Sequence, residues 1–110
     1  MNETGVPAVE AKAVPEDAYL LDVREDDEWQ AGRAPHATHI PMSALAERAG
    51  EVPQDRDVYV ICRSGGRSAR AVTALNQAGW KATNVTGGMR AWAFAGRPMV
   101  ADEGSDPSVI

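Results

Sequence analysis

The stretch Val58-Tyr59-Val60-Ile61-Cys62-Arg63-Ser64-Gly65-Gly66-Arg67-Ser68 decides how this chain is read. Its apolar start, rich in β-branched and aromatic side chains, predicts a buried strand over Asp57 to Ile61. The two glycines interrupt that pattern. Ala71, Val72, Leu75 and Ala78 then recur at helical spacing and predict a helix from Gly66 or Arg67 through Ala78. Gly79 ends it. Cys62, the single cysteine of the chain, falls where strand gives way to helix.

The same alternation extends in both directions. Upstream, Ala8 to Val14 is a weak strand, and Pro15-Glu16-Asp17 is a turn. Tyr19 to Val23 is a short buried strand. Glu25 to Ala31 follows as a helix whose first turn is acidic, the sign its dipole favours, and Gly32 stops it. His39-Ile40-Pro41 forms a short strand, and Ser43 is placed to cap a helix running to Ala49. Pro53-Gln54-Asp55-Arg56 is a turn. Downstream, Lys81 to Val85 is a strand, Thr86-Gly87-Gly88 a turn, and Met89 to Ala95 a last helix before Gly96 and Pro98. Strands alternating with helices imply an α/β fold, with a mostly parallel sheet flanked by helices on both faces. In open sheets of this kind ligands bind beyond the carboxyl ends of the strands. Arg24, Cys62 and Thr86-Gly87-Gly88 are all expected at that edge.

At 110 residues the chain has room for one domain and one modest core. Residues 1–7 read as a flexible lead-in and residues 101–110 as a disordered acidic tail, leaving residues 8–100 as the domain. No apolar run is long enough to cross a membrane. Met1 to Val14 shows no secretory signal, and a lone cysteine cannot close an internal disulfide, so a reducing cytoplasm is the expected compartment. A net charge of −5 argues against nucleic acid and anionic membranes as partners. A monomer is expected of a chain this small and acidic. The local field differs from the sum, because Cys62 to Arg70 holds three arginines and no acid. A small anionic ligand suits that field.

A free cysteine at a strand end is commonly a core residue. Here glycines and arginines surround it, and both a helix N-terminus and nearby guanidinium groups favour the reactive thiolate. Gly65 and Gly66 let successive N–H groups point inward as an anion nest. Arg67 is placed to hold an incoming oxyanion. With no second cysteine there is no dithiol pair, and with no histidine and cysteine cluster there is no metal site.

Cys62 to Ser68 resembles the active-site loop of the single-domain rhodaneses, which are sulfurtransferases. Leu20-Leu21-Asp22-Val23-Arg24-Glu25, continuing through Trp29, Gly32, Pro35, Ala37, His39-Ile40 and Pro41, resembles the first signature of that family. Gly87-Gly88-Met89, with Trp92, Gly96 and Pro98, resembles its closing signature. The resemblance covers Ala8 to Val100. It implies a five-stranded sheet, and a cysteine that takes a sulfane sulfur from a small anionic donor such as thiosulfate. The resulting persulfide then passes its sulfur to a nucleophilic acceptor, cyanide or a thiol, without any cofactor. Carried over by position, Cys62 is the nucleophile. Arg63, Ser64, Gly65, Gly66, Arg67 and Ser68 form the cradle, and Asp22 and Arg24 brace it from the neighbouring strand end.

Arg33 stands where the family often has histidine, and His36 where it has glycine, which puts any role of that histidine in doubt. His36 and His39 read as structural or exposed. Trp29, Trp80 and Trp92 read as packing residues, with Trp29 or Trp92 as candidates to line the way in. Cysteine phosphatases and arsenate reductases are the nearest rivals, but their signature sets the arginine one residue further from the cysteine. A non-enzymatic rhodanese-like binding module would keep the same fold, and a sulfur carrier would share the Cys62 chemistry.

Overall fold

The computed structural model describes residues 5–110. Met1 to Thr4, part of the expected lead-in, lie outside the described residues. Among the described residues the strands are β1 (Ala8–Glu10), β2 (Tyr19–Asp22), β3 (Thr38–His39), β4 (Asp57–Ile61) and β5 (Lys81–Thr86). They lie in the order β1-β5-β4-β2-β3 and every pairing is parallel. The helices are α1 (Asp26–Ala31), α2 (Met42–Arg48), α3 (Gly66–Gln77) and α4 (Gly88–Phe94).

Alternate strand residues feed two cores, as a sheet covered on both faces requires. Leu21, Val58, Val60 and Ala82 pack with Leu45 of α2 and with Ala71, Val72 and Leu75 of α3. Leu20, Ile61 and Val85 pack on the other face with Met89 and Trp92 of α4. The central strands are sealed by this arrangement, and their carboxyl ends open at one edge.

Local chemistry accounts for the departures from expectation. β1 stops at Glu10 and turns into a 3-10 segment over Ala11–Ala13, which tucks Ala11 into the α4-side core. The alanines that weaken a strand allow this turn. Pro41, not Ser43, stands at the start of α2, with φ −63° and ψ 153°. Proline presets the backbone for helix entry, and Ser43 lies inside the first turn.

The largest departures are at the ends. Val6 is buried in the core, and the Pro7 carbonyl accepts the Asn84 N–H at 2.8 Å, so the sheet ladder begins before Ala8. The stretch after Val100, expected to be disordered, lies against the domain. Arg33 and Val100 exchange two backbone hydrogen bonds of 2.9 Å, and Arg33 pairs with Asp102 at 2.7 Å. The Ser108 N–H donates to the Ala31 carbonyl at 2.8 Å, and Val109 packs on the α4-side core. Polar composition predicts disorder only where the backbone finds no partners. Here it meets a carbonyl that the end of α1 leaves unsatisfied.

Candidate active site

Cys62 follows β4 directly and is 1% exposed. Gly65 adopts φ +110°, in the left-handed region that glycine alone enters freely. That turn brings the Gly65 N–H to 3.1 Å from Cys62 Sγ. α3 starts at the next residue, so its early N–H groups have no partner within the helix. The Ser68 N–H reaches Sγ at 3.4 Å and the Ser68 hydroxyl at 3.2 Å. Burial pushes the Cys62 thiol up. The Ser68 hydroxyl and the N–H groups of Ser68, Gly65 and Ser64 outweigh it, and the thiol ends below its ordinary value. A buried sulfur that gathers several donors is prepared to be an anion.

The β5–α4 turn supports the loop from behind. Met89 N–H donates to the Cys62 carbonyl at 2.7 Å, and Arg90 N–H to the Arg63 carbonyl at 3.0 Å. These are free donors of the α4 N-terminus, so one helix start pins the loop whose sulfur sits at another. Gly88 has to be glycine, because a Cβ there would overlap the carbonyls of Cys62 and Arg63. The ends of β2, β4 and β5, expected at one edge of the sheet, lie side by side there.

The arginines behave differently from expectation. Arg67 lies beside the loop, but both its terminal nitrogens are held by Glu28 of α1, at 2.7 and 2.8 Å. That hydrogen-bonded pairing is the main reason the Glu28 carboxyl falls to about 2, and it raises Arg67. Arg63 points away along the surface, where its Nε donates to the Ile110 backbone oxygen at 3.0 Å. Asp22 and Arg24 form a fully buried ion pair of 2.8 Å. The rest of the Arg24 guanidinium donates to the carbonyls of Glu28 at 3.2 Å and Gly32 at 2.7 Å. The pair thus holds α1, and its link to the Cys62 loop runs through Glu28 to Arg67.

Outside the loop, Trp29 stacks on His39 at 4.6 Å and carries Arg33 on its ring at 4.8 Å. Trp92 lines an open hollow of about 300 Å³ with His36 and Arg97, and Cys62 is not among its lining residues. Sequence reasoning singles out neither Asn84 nor Glu28 as a site residue. Asn84 is buried on β5, bonded to the Ser68 hydroxyl at 2.5 Å and to the Gly65 carbonyl at 3.2 Å. Its place two residues before Thr86-Gly87-Gly88 is the signal that could have found it.

Comparison with known proteins agrees with this geometry. The rhodanese-like domain model matches residues 8–95. A sulfurtransferase of Allochromatium vinosum is 44% identical over 90 residues, spanning 81% of this chain and 84% of that protein. A rhodanese-related protein of Thermoplasma volcanium superposes with a TM-score of 0.82 at 34% identity, covering 87% of this chain and 99% of that one. A NAD-dependent persulfide reductase of A. fulgidus matches with a TM-score of 0.69 at 34% identity, covering 79% of this chain and 16% of the larger one. The match over residues 8–95 and the 44% identity to a sulfurtransferase place the chain in the rhodanese-like family.

Proposed function

We propose that this protein is a sulfurtransferase that carries a sulfane sulfur on Cys62, taken from thiosulfate or a related donor and passed to cyanide or a thiol. The observation that carries the reading is the meeting of the Gly65 and Ser68 N–H groups and the Ser68 hydroxyl on one buried sulfur. The thiolate pair attacks the outer sulfur of the donor. The donor's S–S bond breaks and its electron pair leaves with the departing group, which is sulfite if the donor is thiosulfate. The acceptor's pair then attacks the outer sulfur of the persulfide, and the bonding pair returns to Cys62. One cysteine suffices for this two-step exchange.

The engagement of Arg67 by Glu28 favours a donor less charged than thiosulfate, such as a persulfide, because the side-chain cation beside the loop is already neutralised. A role as a sulfur carrier between protein thiols would use the same Cys62 chemistry. A phosphatase is disfavoured by the short spacing between Cys62 and Arg67.

Incubation with thiosulfate or a small persulfide, followed by intact mass, tests the reading. A gain of one sulfur atom is expected, lost on cyanide with formation of thiocyanate and absent in Cys62→Ser. No gain with either donor would overturn it.

A further inference from the structure

Asn84 has no part in the sulfur transfer just described, yet its side chain is the nearest partner of the Ser68 hydroxyl. The orientation of its amide follows from the acceptors around it. The Gly65 carbonyl can only accept, so Asn84 turns Nδ2 toward it at 3.2 Å and Oδ1 toward Ser68 at 2.5 Å. Ser68 Oγ therefore faces three acceptors with one hydrogen: Asn84 Oδ1 at 2.5 Å, Cys62 Sγ at 3.2 Å and the Gly65 carbonyl at 3.2 Å. The Gly65 carbonyl is already satisfied by the Ala69 N–H at 3.1 Å. The contest is between Asn84 and Cys62.

The charge on sulfur decides that contest. When Sγ is a thiol or is bonded to a second sulfur, it carries no full charge, and the hydrogen belongs to the closer oxygen of Asn84. When Sγ is a thiolate, a charge-assisted bond draws the hydrogen across. The Asn84 oxygen is then left unpaired in a buried site, which is costly. We propose that Asn84 is a positioning residue that acts through Ser68, holding its hydrogen while Cys62 is loaded and yielding it when Sγ departs as a thiolate.

The cycle balances without any proton leaving oxygen. In loading, the Sγ pair forms the new S–S bond, the donor's S–S bond breaks with its pair on the donor, and the Ser68 O–H turns to Asn84. In unloading, the acceptor's pair bonds to the outer sulfur, the Sγ–S pair returns to Sγ, and the O–H turns back. Rotation about the Ser68 Cβ–Oγ bond is the whole movement.

Charged and titratable groups stand around Cys62 on several elements. Arg67 of α3 is paired with Glu28 of α1, and Asp22 is paired with Arg24 at the end of β2. Arg63 follows Cys62 in the loop, Arg90 lies at the start of α4, and His39 of β3 bonds the Arg24 carbonyl. Glu28, held at about 2, and Arg67, raised, keep their charges from pH 5 to 10.

The proposal rests on the sulfurtransferase reading, but its test does not require turnover. The rate of Cys62 alkylation by iodoacetamide is followed against pH in the reduced protein. Asn84→Ala, and Asn84→Leu as a variant that keeps the side-chain volume, should move the midpoint down by about one pH unit, the worth of a charge-assisted hydrogen bond. Ser68→Ala should move it up. In the Ser68→Ala background the Asn84→Ala shift should vanish, because the Ser68 hydroxyl is the Asn84 partner that itself bonds Sγ. Unchanged midpoints in both Asn84 variants, or an equal shift without Ser68, would overturn the proposal. Midpoints that move as expected in a protein that makes no thiocyanate would sustain the role of Asn84 and overturn only the sulfur transfer.

Discussion

Two arginine–carboxylate pairs lie near the carboxyl edge of this sheet, and they are built in opposite ways. Asp22 and Arg24 are two residues apart, with side chains 0% exposed, and Nη1 and Nη2 of Arg24 also donate to the backbone carbonyls of Glu28 and Gly32. Glu28 and Arg67 are 39 residues apart, on different helices, with side chains 12% and 28% exposed. The first pair is sealed into the fold. The second closes a gap between α1 and α3 at the rim of the Cys62 loop. Burial, more than charge, separates the two: a sealed pair cannot change partners without unfolding its surroundings, whereas a rim pair can open to water or to an anion.

The sharpest way to break the comparison is to remove one partner from each pair. Asp22→Ala leaves the Arg24 charge buried without compensation, which should cost about 3–5 kcal/mol in urea unfolding. A loss below about 1 kcal/mol would mean that water reaches Arg24, and the distinction between the pairs would fall. Arg67→Ala should cost only about 1 kcal/mol near neutral pH, as for a partly exposed pair.

Acid sharpens the same contrast. The Glu28 carboxyl is lowered from 4.5 to about 2 by its bond to Arg67, so its contribution is present above the unfolded value and is lost as pH falls. The stability gap between the natural chain and Arg67→Ala should be flat above pH 5 and should close between pH 4.5 and about 2. A gap that varies between pH 6 and 8 would point to a different partner for Arg67. The smallest expected effect is on activity. Glu28→Gln frees the Arg67 guanidinium and should raise kcat/KM for thiosulfate about threefold, with less change for a neutral donor. Equal effects on both donors would show that Arg67 does not meet the anion.

The Cys62 loop was legible in the sequence because strand, sulfur, glycines and helix are contiguous there. The loop from Cys62 to Ser68 is its own local signal, and hydrophobic periodicity on either side fixes its place in the sheet. What was illegible depends on contacts between distant positions. Asn84 meets Ser68 across 16 residues, and no spacing rule connects an asparagine inside a strand to a hydroxyl in the next layer. Arg67 looked like a free anion clamp because Glu28 lies far away in sequence, hidden in an acidic helix start that reads as capping. Asp22 and Arg24 were placed correctly at the edge, but the remaining Arg24 bonds run to the carbonyls of Glu28 and Gly32 at the end of α1. The tail misled through composition, because Ser108 uses its backbone and Val109 is a single apolar residue without periodicity.

The path of that tail has a practical consequence for anyone who extends this chain. The Ile110 backbone oxygen rests on the side chain of Arg63, the residue next to Cys62. A peptide or protein fused after Ile110 would start at the Arg63 side chain, and its first residues would be held near that face of the domain at an effective concentration on the order of millimolar. Under the proposed sulfur transfer, a thiol placed early in such an extension becomes a tethered acceptor, whereas a bulky affinity tag crowds the face that carries Arg63.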